Sequence, residues 1–542
     1  MPTITIDKKD LFKLMGKTIP DETLKDRISM LGTDLEKVTK DEVEVEIFPN
    51  RPDMLSTEGF ARALGSFIGV KKSREYKVNK SSYKSKKDAK VKKVRPFAVN
   101  AVVKGIKLDN NTIKSLMQVQ EKLHASHGRN RKKVSIGVYD LNKFEFPLTY
   151  TTKPKDFKFI PLEFKKELTI SQILEKHPKG RDYAFTLEKF KECPIWLDKN
   201  KQVLALVPII NSEETKVDEK TKDLFIDVTG TSLEACEQAL NIVTTSLADR
   251  GGKIYEVKVD NVSYPNLEQK KLKLNKSYVE ERLGLFLNET QIKKLLEKMG
   301  ITYSNGNASI PAYRTDILSE IDLIEEIAIA YGYENFVPEI PNVSTIAKES
   351  EFEVFRNKIC NILANLGLIE TNTYNLTNKN SQEKLMNIKN LKLAEIANAL
   401  NKDYDVLRTW MIPSLLEVLK NNKHYDYPQK IFEAGSVFVG EKEKTRLGVL
   451  LAYPKVTFTD IKQILDVIFN SLDLTYEIKE AEHGSFIPGR VGRVYCKGKG
   501  IAFIGEIYPQ VLENFSLETP IAALELNLTD LFELTLQKTT NS

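Results

Sequence analysis

The sequence has few cysteines, the residues that cross-link small secreted proteins and often bind zinc. Its four cysteines, Cys193, Cys236, Cys360 and Cys496, lie far apart among 542 residues. Such spacing matches neither a metal-ligand pattern nor a disulfide framework. No run of 18 apolar residues is present, which argues against a membrane-spanning helix. The start, MPTITIDKKD, lacks the apolar core of a secretory signal. These absences predict a cytoplasmic, reduced protein without a membrane segment.

Several catalytic signatures are also missing. The sequence contains no Gly-x-x-x-x-Gly-Lys phosphate loop and no Gly-x-Ser-x-Gly nucleophile elbow. Two of its five histidines, His124 and His127, stand in a basic stretch without a neighbouring nucleophile. We therefore expect both histidines at the surface. Any hydrolysis would use water as the nucleophile.

Positive charge is concentrated in two places, although the net charge is only +6. Residues 71–95 hold twelve Lys or Arg and only two acids, Glu75 and Asp88. A second basic stretch covers residues 124–133. Lysine and arginine release counterions from a phosphate backbone, so nucleic acid is a candidate partner. The alternative is a solvated linker, and the first cluster favours a linker up to about residue 90.

The length predicts three or four domains at roughly 150 residues each, and the mixed patterns indicate an α+β fold. We predict an N-terminal α+β domain with its Lys-rich linker over residues 1–90. It contains strands at residues 3–6 and 43–48 and helices at residues 10–15 and 56–67, the last capped by Ser56. A second α+β domain is predicted over residues 91–262. Its strands are at 97–103, 134–139, 203–207 and 224–230, and its helix is at 232–248.

A smaller module is predicted over residues 265–341, with two short helices before a longer helix from Asp316 to Tyr331. The core stripe of that helix is expected at Ile317, Ile321, Ile324, Ala328 and Tyr331. The last region, residues 343–542, again mixes strands and helices. It opens with an amphipathic helix from Phe352 to Leu366 that Gly367 ends.

Four carboxylates accompany the long predicted helix. Asp322, Glu325 and Glu326 stand at i, i+3 and i+4, and Asp316 precedes them near the helix start. Oxygen ligands without histidine or cysteine suit a hard divalent cation such as Mg²⁺. The alternative is that acids early in a helix complement its dipole.

A second candidate site lies where two apolar strands end. Residues 208–215 include Asn211, and residues 227–231 include Asp227 and Thr229. Polar side chains at such ends can converge on a small ligand. The alternative is that these residues merely cap turns, as asparagine and threonine often do.

Six blocks of the sequence together resemble the beta subunit of the archaeal and eukaryotic type of phenylalanyl-tRNA synthetase. They follow the family's order along almost the whole chain. The blocks are residues 48–53, 209–215, 227–231, 311–316 continuing through 327–333, 428–433 and 486–490.

The resemblance implies that residues 91–262 form a tRNA-editing domain that hydrolyses tyrosine wrongly attached to tRNA. Asn211, Asp227 and Thr229 would line its pocket. One departure is Ala205, where the archaeal pattern often has serine. Residues 265–341 would form a magnesium-binding module, with Asp316, Asp322, Glu325 and Glu326 as the ligands.

For residues 343–542 the resemblance implies a class II synthetase-like antiparallel-sheet domain without catalytic residues for aminoacylation. Residues 430–435 stand in place of the second class II motif but lack its arginine pattern. The implied partners are an alpha subunit in an alpha-two beta-two tetramer and the tRNA for phenylalanine. ATP and phenylalanine would be bound mainly by alpha.

A stand-alone tRNA-binding or trans-editing protein is the alternative function. An editing-like middle domain alone would allow it, although the acidic helix module and the long C-terminal region argue against it. Co-purification of an alpha-like chain separates the two.

Overall fold

The computed structural model describes residues 2–539, and for residues 537–539 it describes the backbone alone. The ends of the predicted first and last domains, residue 1 and residues 540–542, lie outside that range. The chain divides into two compact units, Met1–Ile340 and Pro341–Ser542. Both combine helices with sheets, so the protein has a mixed α/β multidomain fold. None of the helices in the described range has the length and apolar composition needed to span a bilayer.

A three-stranded antiparallel sheet in the order β1-β3-β2 opens the first unit. Val43 and Val45 alternate with glutamates and are fully buried. Ser56 caps the third helix by accepting a hydrogen bond from the amide of Gly59 at 2.9 Å, as the sequence predicts. The elements are β1 (Thr3–Asp7), α1 (Lys8–Met15), α2 (Asp21–Met30), β2 (Asp34–Val38), β3 (Glu42–Glu46) and α3 (Thr57–Phe67).

An eleven-stranded mixed sheet forms the centre of the first unit. Its strands and the flanking elements are β4 (Val78–Asn79), β5 (Lys84–Lys87), β6 (Phe97–Lys104), α4 (Asn110–Ala125), β7 (Val134–Asp140), β8 (Leu148–Pro154), β9 (Lys158–Phe159), β10 (Leu168–Thr169), α5 (Ile170–Lys176), α6 (Pro178–Tyr183), β11 (Glu192–Leu197), β12 (Val203–Leu206), β13 (Ile210–Asn211), β14 (Leu224–Gly230), α7 (Leu233–Asp249), β15 (Lys253–Val259) and β16 (Val262–Tyr264).

Nine strands of this sheet follow the order β13-β12-β11-β8-β5-β15-β6-β14-β7, while β4 and β16 pair with β15. Strands β9 and β10 form a separate pair. Helix α7 packs against β6 and β14, and α4 packs against β7. The strands predicted at 97–103, 134–139, 203–207 and 224–230 are confirmed, as is the helix that Ser232 begins.

The Lys-rich stretch differs from the predicted linker, because two of its segments belong to the large sheet. Strand β5 pairs in parallel with β8 and β15. Ser85 is buried and donates a hydrogen bond to Asn100 Oδ1 at 2.7 Å, while Lys84 and Lys86 are exposed. Backbone pairing needs no apolar side chains on the solvent face, so composition alone could not reveal this strand.

The remainder of the first unit is a small sheet with three helices, in the strand order β17-β19-β18. The two predicted short helices are confirmed. The longer helix begins at Glu320, four residues after Asp316, because Ser319 and Asp322 form a capping box there. The elements are β17 (Lys270–Lys273), α8 (Lys276–Leu283), α9 (Glu289–Lys298), β18 (Thr302–Ser304), β19 (Asn307–Ile310) and α10 (Glu320–Tyr331).

The predicted core stripe of α10 was partly wrong. Ile324 and Ala328 are buried as expected, but Ile321 is 45% exposed. The packed face instead runs through Leu323 and Ile327, which are fully buried. Ile321 lies roughly 100° or more around the helix from the centre of this face, so its side chain points away from the core.

The second unit is built on a seven-stranded sheet in the order β20-β24-β25-β29-β28-β27-β26, antiparallel except for β20. Strands β21, β23 and β22 form a small second sheet. The elements are α11 (Glu351–Asn365), β20 (Ile369–Glu370), β21 (Leu376–Thr377), α12 (Lys379–Gln382), β22 (Ala394–Glu395), β23 (Val406–Leu407), α13 (Ile412–Asn421), β24 (Gln429–Val439), β25 (Lys442–Ala452), α14 (Phe458–Ser471), β26 (Glu477–Glu480), β27 (Phe486–Cys496), β28 (Lys499–Ile507), α15 (Pro509–Asn514), β29 (Ile521–Asn527) and α16 (Leu528–Thr539).

Two apolar cores lie on the two faces of this sheet. Helices α11, α14 and α16 bury their side chains with one face, and α13 and α15 bury theirs with the other. The amphipathic helix predicted from Phe352 is confirmed as α11, and Gly367 follows it with a positive φ of 79°.

Candidate functional site

A cavity of about 330 Å³ opens in the first unit between the large sheet and helices α4 and α6. Its walls include residues from β7, the β12–β13 turn and β14. Two of the three residues predicted for a pocket, Asn211 and Asp227, line it together with Ala205. The volume suits a single amino-acid side chain and part of what it is attached to.

Asp227 is the best-anchored polar group of the cavity wall. It is buried in the middle of β14, where an unpartnered carboxylate would be costly. The hydroxyl of Tyr139 donates to Asp227 Oδ2 at 2.5 Å, and Trp196 Nε1 donates to Oδ1 at 3.1 Å. Burial raises the pKa of Asp227 to about 6, although these two hydrogen bonds act in the opposite direction.

Gly137 makes room for this arrangement. It pairs with Asp227 across the β7–β14 ladder. A Cβ at position 137 would lie 2.2 Å from both Asp227 Oδ2 and the Tyr139 hydroxyl. Only glycine therefore lets the carboxylate and the phenol meet at this point of the sheet.

Asn211 and Thr229 have different positions relative to the cavity. Asn211 pairs with Ala205 between β13 and β12, and its Nδ2 donates to the carbonyl of Val138 at 3.2 Å. Thr229 lies behind the wall, where its hydroxyl is 3.0 Å from that of Ser135, a wall residue. The structure thus brings Asn211 and Asp227 to one cavity. Thr229 does not line it but contacts Ser135, which does.

The expectation of a surface position for His124 was wrong. His124 is buried, lines the cavity, and accepts a hydrogen bond at Nε2 from the amide of Ile136 at 2.8 Å. Burial lowers the pKa of His124 well below its usual value, so the ring is neutral and Nδ1 carries the proton. That Nδ1 has no partner among the described residues. His127 is half-buried, and its Nε2 lies 3.1 Å from the carbonyl oxygen of Ala235.

The four carboxylates predicted as metal ligands already bind other groups of the chain. Arg314 donates to both oxygens of Asp316, at 2.9 and 2.7 Å, and to Glu326 at 2.7 Å. Asp322 accepts from the amides of residues 318 and 319 and so caps α10. Glu325 accepts from the Tyr333 hydroxyl at 2.8 Å.

These positions do not fit a shared cation as they stand. Arg314 already neutralises Asp316 and Glu326, and it outweighs burial to lower the pKa of Asp316. Across the described residues, a group of three acids close enough for one ion occurs at Asp34, Glu36 and Glu46. Asp34 and Glu36 are exposed on the edge strand β2 and Glu46 is half-buried on β3, and nothing further indicates a metal there.

Comparison with known families matches nearly the whole chain. Residues 1–70 match the Phe-tRNA synthetase beta subunit B1 domain, and residues 81–250 match the B3/4 domain. Residues 272–333 match the tRNA synthetase B5 domain, and residues 337–528 match the phenylalanyl tRNA synthetase beta chain CLM domain.

Full-length relatives agree with these matches. The phenylalanine–tRNA ligase beta subunit of Pyrococcus horikoshii is 40% identical, with 98% of this chain and 100% of the relative covered. That of Archaeoglobus fulgidus is also 40% identical, with 98% and 99% covered. The crystal structure of an N-terminal fragment of the Pyrococcus horikoshii beta subunit is 37% identical, covers 61% of this chain and 99% of the fragment, and has a TM-score of 0.58.

The fold and the matched domains define a multidomain subunit of an aminoacyl-tRNA ligase. The chain belongs to the family of phenylalanine–tRNA ligase beta subunits. Its function is accordingly that of the beta subunit of an enzyme that attaches phenylalanine to tRNA.

Several wall residues were not predicted from the sequence. The sequence pattern places Tyr139 only in a strand and assigns no role to Trp196, which lies behind the wall, although both donate hydrogen bonds to Asp227. Arg131 was counted only as part of a basic stretch, although its guanidinium lines the cavity. A signal was available in β7, because a glycine in the middle of a strand often marks a close approach of other groups.

The raised pKa of Asp227 predicts a pH dependence of stability. Its folded-state pKa of about 6 exceeds the ordinary value of 3.8, so the protonated form stabilises the fold below pH 4. That contribution is lost as the pH rises through 6. Between pH 4 and 7.5 we expect the wild type to lose up to about 3 kcal/mol of unfolding free energy relative to Asp227→Asn, which cannot ionise.

Denaturant unfolding followed by tryptophan fluorescence measures this difference. The chain has two tryptophans, so a Trp410→Phe background leaves Trp196 as the reporter of the first unit. Parallel stability curves for the two proteins over the whole pH range would contradict the assignment.

Proposed function

We propose that the cavity of the first unit hydrolyses tyrosyl-tRNA, while the chain supports charging of tRNA with phenylalanine by an alpha subunit. The observation that supports this most is the anchored carboxylate of Asp227 inside a cavity of amino-acid size. In this proposal residues 91–262 are the editing domain, and Asn211, Asp227 and Thr229 form its pocket and the layer behind it.

Water is the proposed nucleophile. It adds to the ester carbonyl, the bond to the ribose oxygen breaks, and the free amino acid and the tRNA hydroxyl leave. The wall has no activated side chain for this step. Ser135 is hydrogen-bonded to Thr229, and His124 Nε2 accepts a backbone amide, so the two do not form a nucleophile–base pair.

Selectivity for tyrosine follows from the polar groups of the wall. Asp227 and Asn211 place a carboxylate and an amide at the cavity wall. A phenol hydroxyl can satisfy such groups, whereas phenylalanine would leave them without a partner. Ala205 adds no polar atom where a serine would, so recognition depends on the remaining groups.

The second unit is proposed to be a class II synthetase-like domain without catalytic activity. On the sheet face under α13, a Cβ on Gly448 would lie 2.6 Å from Met411 Cγ. The buried Arg408 is bound to Glu433 at 2.8 Å and to Thr373 at 2.7 Å. Protein side chains therefore fill this face, and its buried arginine is already neutralised.

The alpha subunit is the proposed occupant of an exposed apolar surface in the second unit. Val354 on α11 and Leu366 just after it are exposed, and so are Ile369 in β20, at 67%, and Tyr374. Such a surface is typical of a subunit interface. We propose an alpha-two beta-two tetramer in the cytoplasm that binds the tRNA for phenylalanine, with ATP and phenylalanine bound mainly by alpha.

The proposed domain division is residues 1–90, 91–262, 265–341 and 343–542, with residues 78–87 at the end of the first range contributing two strands to the sheet of the second domain. The alternative, a stand-alone tRNA-binding or trans-editing protein, does not account for the exposed apolar surface of the second unit. A chain purified from its native source without an alpha-like partner would favour that alternative.

The first prediction from the proposed function concerns editing. In the assembled enzyme, Asn211→Ala combined with Asp227→Ala should slow deacylation of tyrosyl-tRNA by about tenfold or more, because buried hydrogen bonds to the substrate are lost. Charging with phenylalanine should be spared. Asn200→Ala, in an exposed turn of the same domain, is the matched control. Equal losses in deacylation and charging would count against a dedicated editing site.

The second prediction is that the chain alone cannot activate phenylalanine. Adenylate formation needs groups that hold the ATP phosphates and stabilise developing charge. The purified chain should therefore show no phenylalanine-dependent pyrophosphate exchange, and adding alpha should restore it. Robust exchange by the chain alone, with alpha excluded by mass spectrometry, would refute the inactive assignment.

The third prediction concerns Mg²⁺ at Asp316, Asp322, Glu325 and Glu326. Because Arg314 neutralises two of these acids, we expect the chain alone to bind Mg²⁺ weakly. Arg314 does not bind Asp322 and Glu325, so Asp322→Asn combined with Glu325→Gln should weaken Mg²⁺ binding and the alpha contact of the assembled enzyme. Calorimetric titration of Mg²⁺ into the assembled enzyme checks this. A double variant that binds Mg²⁺ and assembles like the wild type would show that these acids serve only the helix.

A further inference from the structure

The loop between α4 and β7, residues 126–133, has an unusual backbone at the edge of the cavity. Arg129, Asn130 and Arg131 have successive φ values of 49°, 53° and 62°. Residues with a Cβ seldom adopt this left-handed region, and three in a row are costly. The surrounding structure must therefore hold the loop in this shape.

Buried contacts on the inner side of the loop supply that support. Arg95 Nη1 donates to the carbonyl of Arg131 at 2.9 Å, while its other nitrogens bind Thr229. Gly128 is closely surrounded, since a Cβ there would lie 2.5 Å from the carbonyl oxygen of Val134. The loop is thus fixed from within, independently of its solvent-facing side chains.

Arg131 connects the loop to the cavity. Its Nη1 donates to the carbonyls of Pro208 and Ile209, at 3.0 and 2.8 Å, and its guanidinium lies 4.1 Å from the centre of the Tyr183 ring. Glu121, an acid of the cavity wall, is paired with both Arg131 and Lys179. Two cations therefore offset the one carboxylate, and this side of the cavity is positive.

The outer side of the loop carries exposed basic side chains beside an exposed aromatic ring. Arg129 and Lys132 are exposed, and Lys132 Nζ lies 5.1 Å from the centre of the Phe185 ring. Phe185 itself is 41% exposed. Cations that follow a phosphate backbone, beside an aromatic ring on which a base can stack, are the usual means of binding a single nucleic-acid strand.

We propose that Arg129, Lys132 and Phe185 form a docking rim for the single-stranded 3′ end of an aminoacylated tRNA. The cations bind its phosphates, Phe185 stacks on one base, and the ester enters the cavity past Arg131. The rim rests on the proposed editing function, to which it adds the route by which the substrate arrives.

Two sets of variants test the rim in the assembled enzyme. Arg129→Gln combined with Lys132→Gln removes two phosphate contacts, so KM for tyrosyl-tRNA deacylation should rise about tenfold with kcat nearly unchanged. The slope of log affinity against log salt for a short single-stranded RNA, measured by fluorescence anisotropy, should fall by about 1.4. Phe185→Leu should weaken RNA binding by about fivefold or more without changing the salt slope.

Lys293→Gln combined with Lys294→Gln, on the exposed face of α9 and outside the cavity wall, is the matched control. The rim proposal would be overturned if the Arg129/Lys132 and Phe185 variants kept the KM, the RNA affinity and the salt slope of the wild type. If the wild type does not deacylate tyrosyl-tRNA yet the rim variants lose RNA binding, the editing proposal fails and the rim stands.

Discussion

A carboxyl group in the interior of a sheet is stable only when hydrogen bonds replace the water that it loses. Asp227 meets this condition through Tyr139 and Trp196, which come from β7 and β11 on different sides of the sheet order. The same pair keeps the carboxyl at the cavity wall instead of letting it turn away. The glycine at position 137 leaves room for this carboxyl, and an aromatic core packs around Tyr139 and Trp196.

Much of the fold was predictable because its local signals agree with its packing. The alternation in β3, the apolar runs of β6, β7 and β14, and the serine caps of α3 and α7 lead directly to the observed elements. The convergence of Asn211 and Asp227 was also expected, although Asp227 lies in the middle of β14 and not at the end of a strand as predicted. What the sequence could not show is which distant residues pair, so the strand in the Lys-rich stretch and the burial of His124 were missed.

The acidic group formed by Asp316 and three acids of α10 shows a second limit of sequence reasoning. Spacing places Asp322, Glu325 and Glu326 on one helix, but it does not reveal which cation they meet. Arg314, two residues before Asp316, satisfies two of the four acids within the chain itself. A buried arginine bound to two carboxylates stabilises the module only if both partners stay in place. An ion held by all four acids would therefore have to displace Arg314 from Asp316 and Glu326.

The central claim is that the cavity recognises tyrosine through Asp227. The most direct measurement is a crystal structure of the assembled enzyme with a stable amide analogue of the tyrosyl ester of adenosine. We expect the tyrosyl ring in the cavity of the first unit, with its phenol oxygen within hydrogen-bonding distance of Asp227. An analogue bound elsewhere, or bound in the cavity with its phenol oxygen facing solvent, would contradict it.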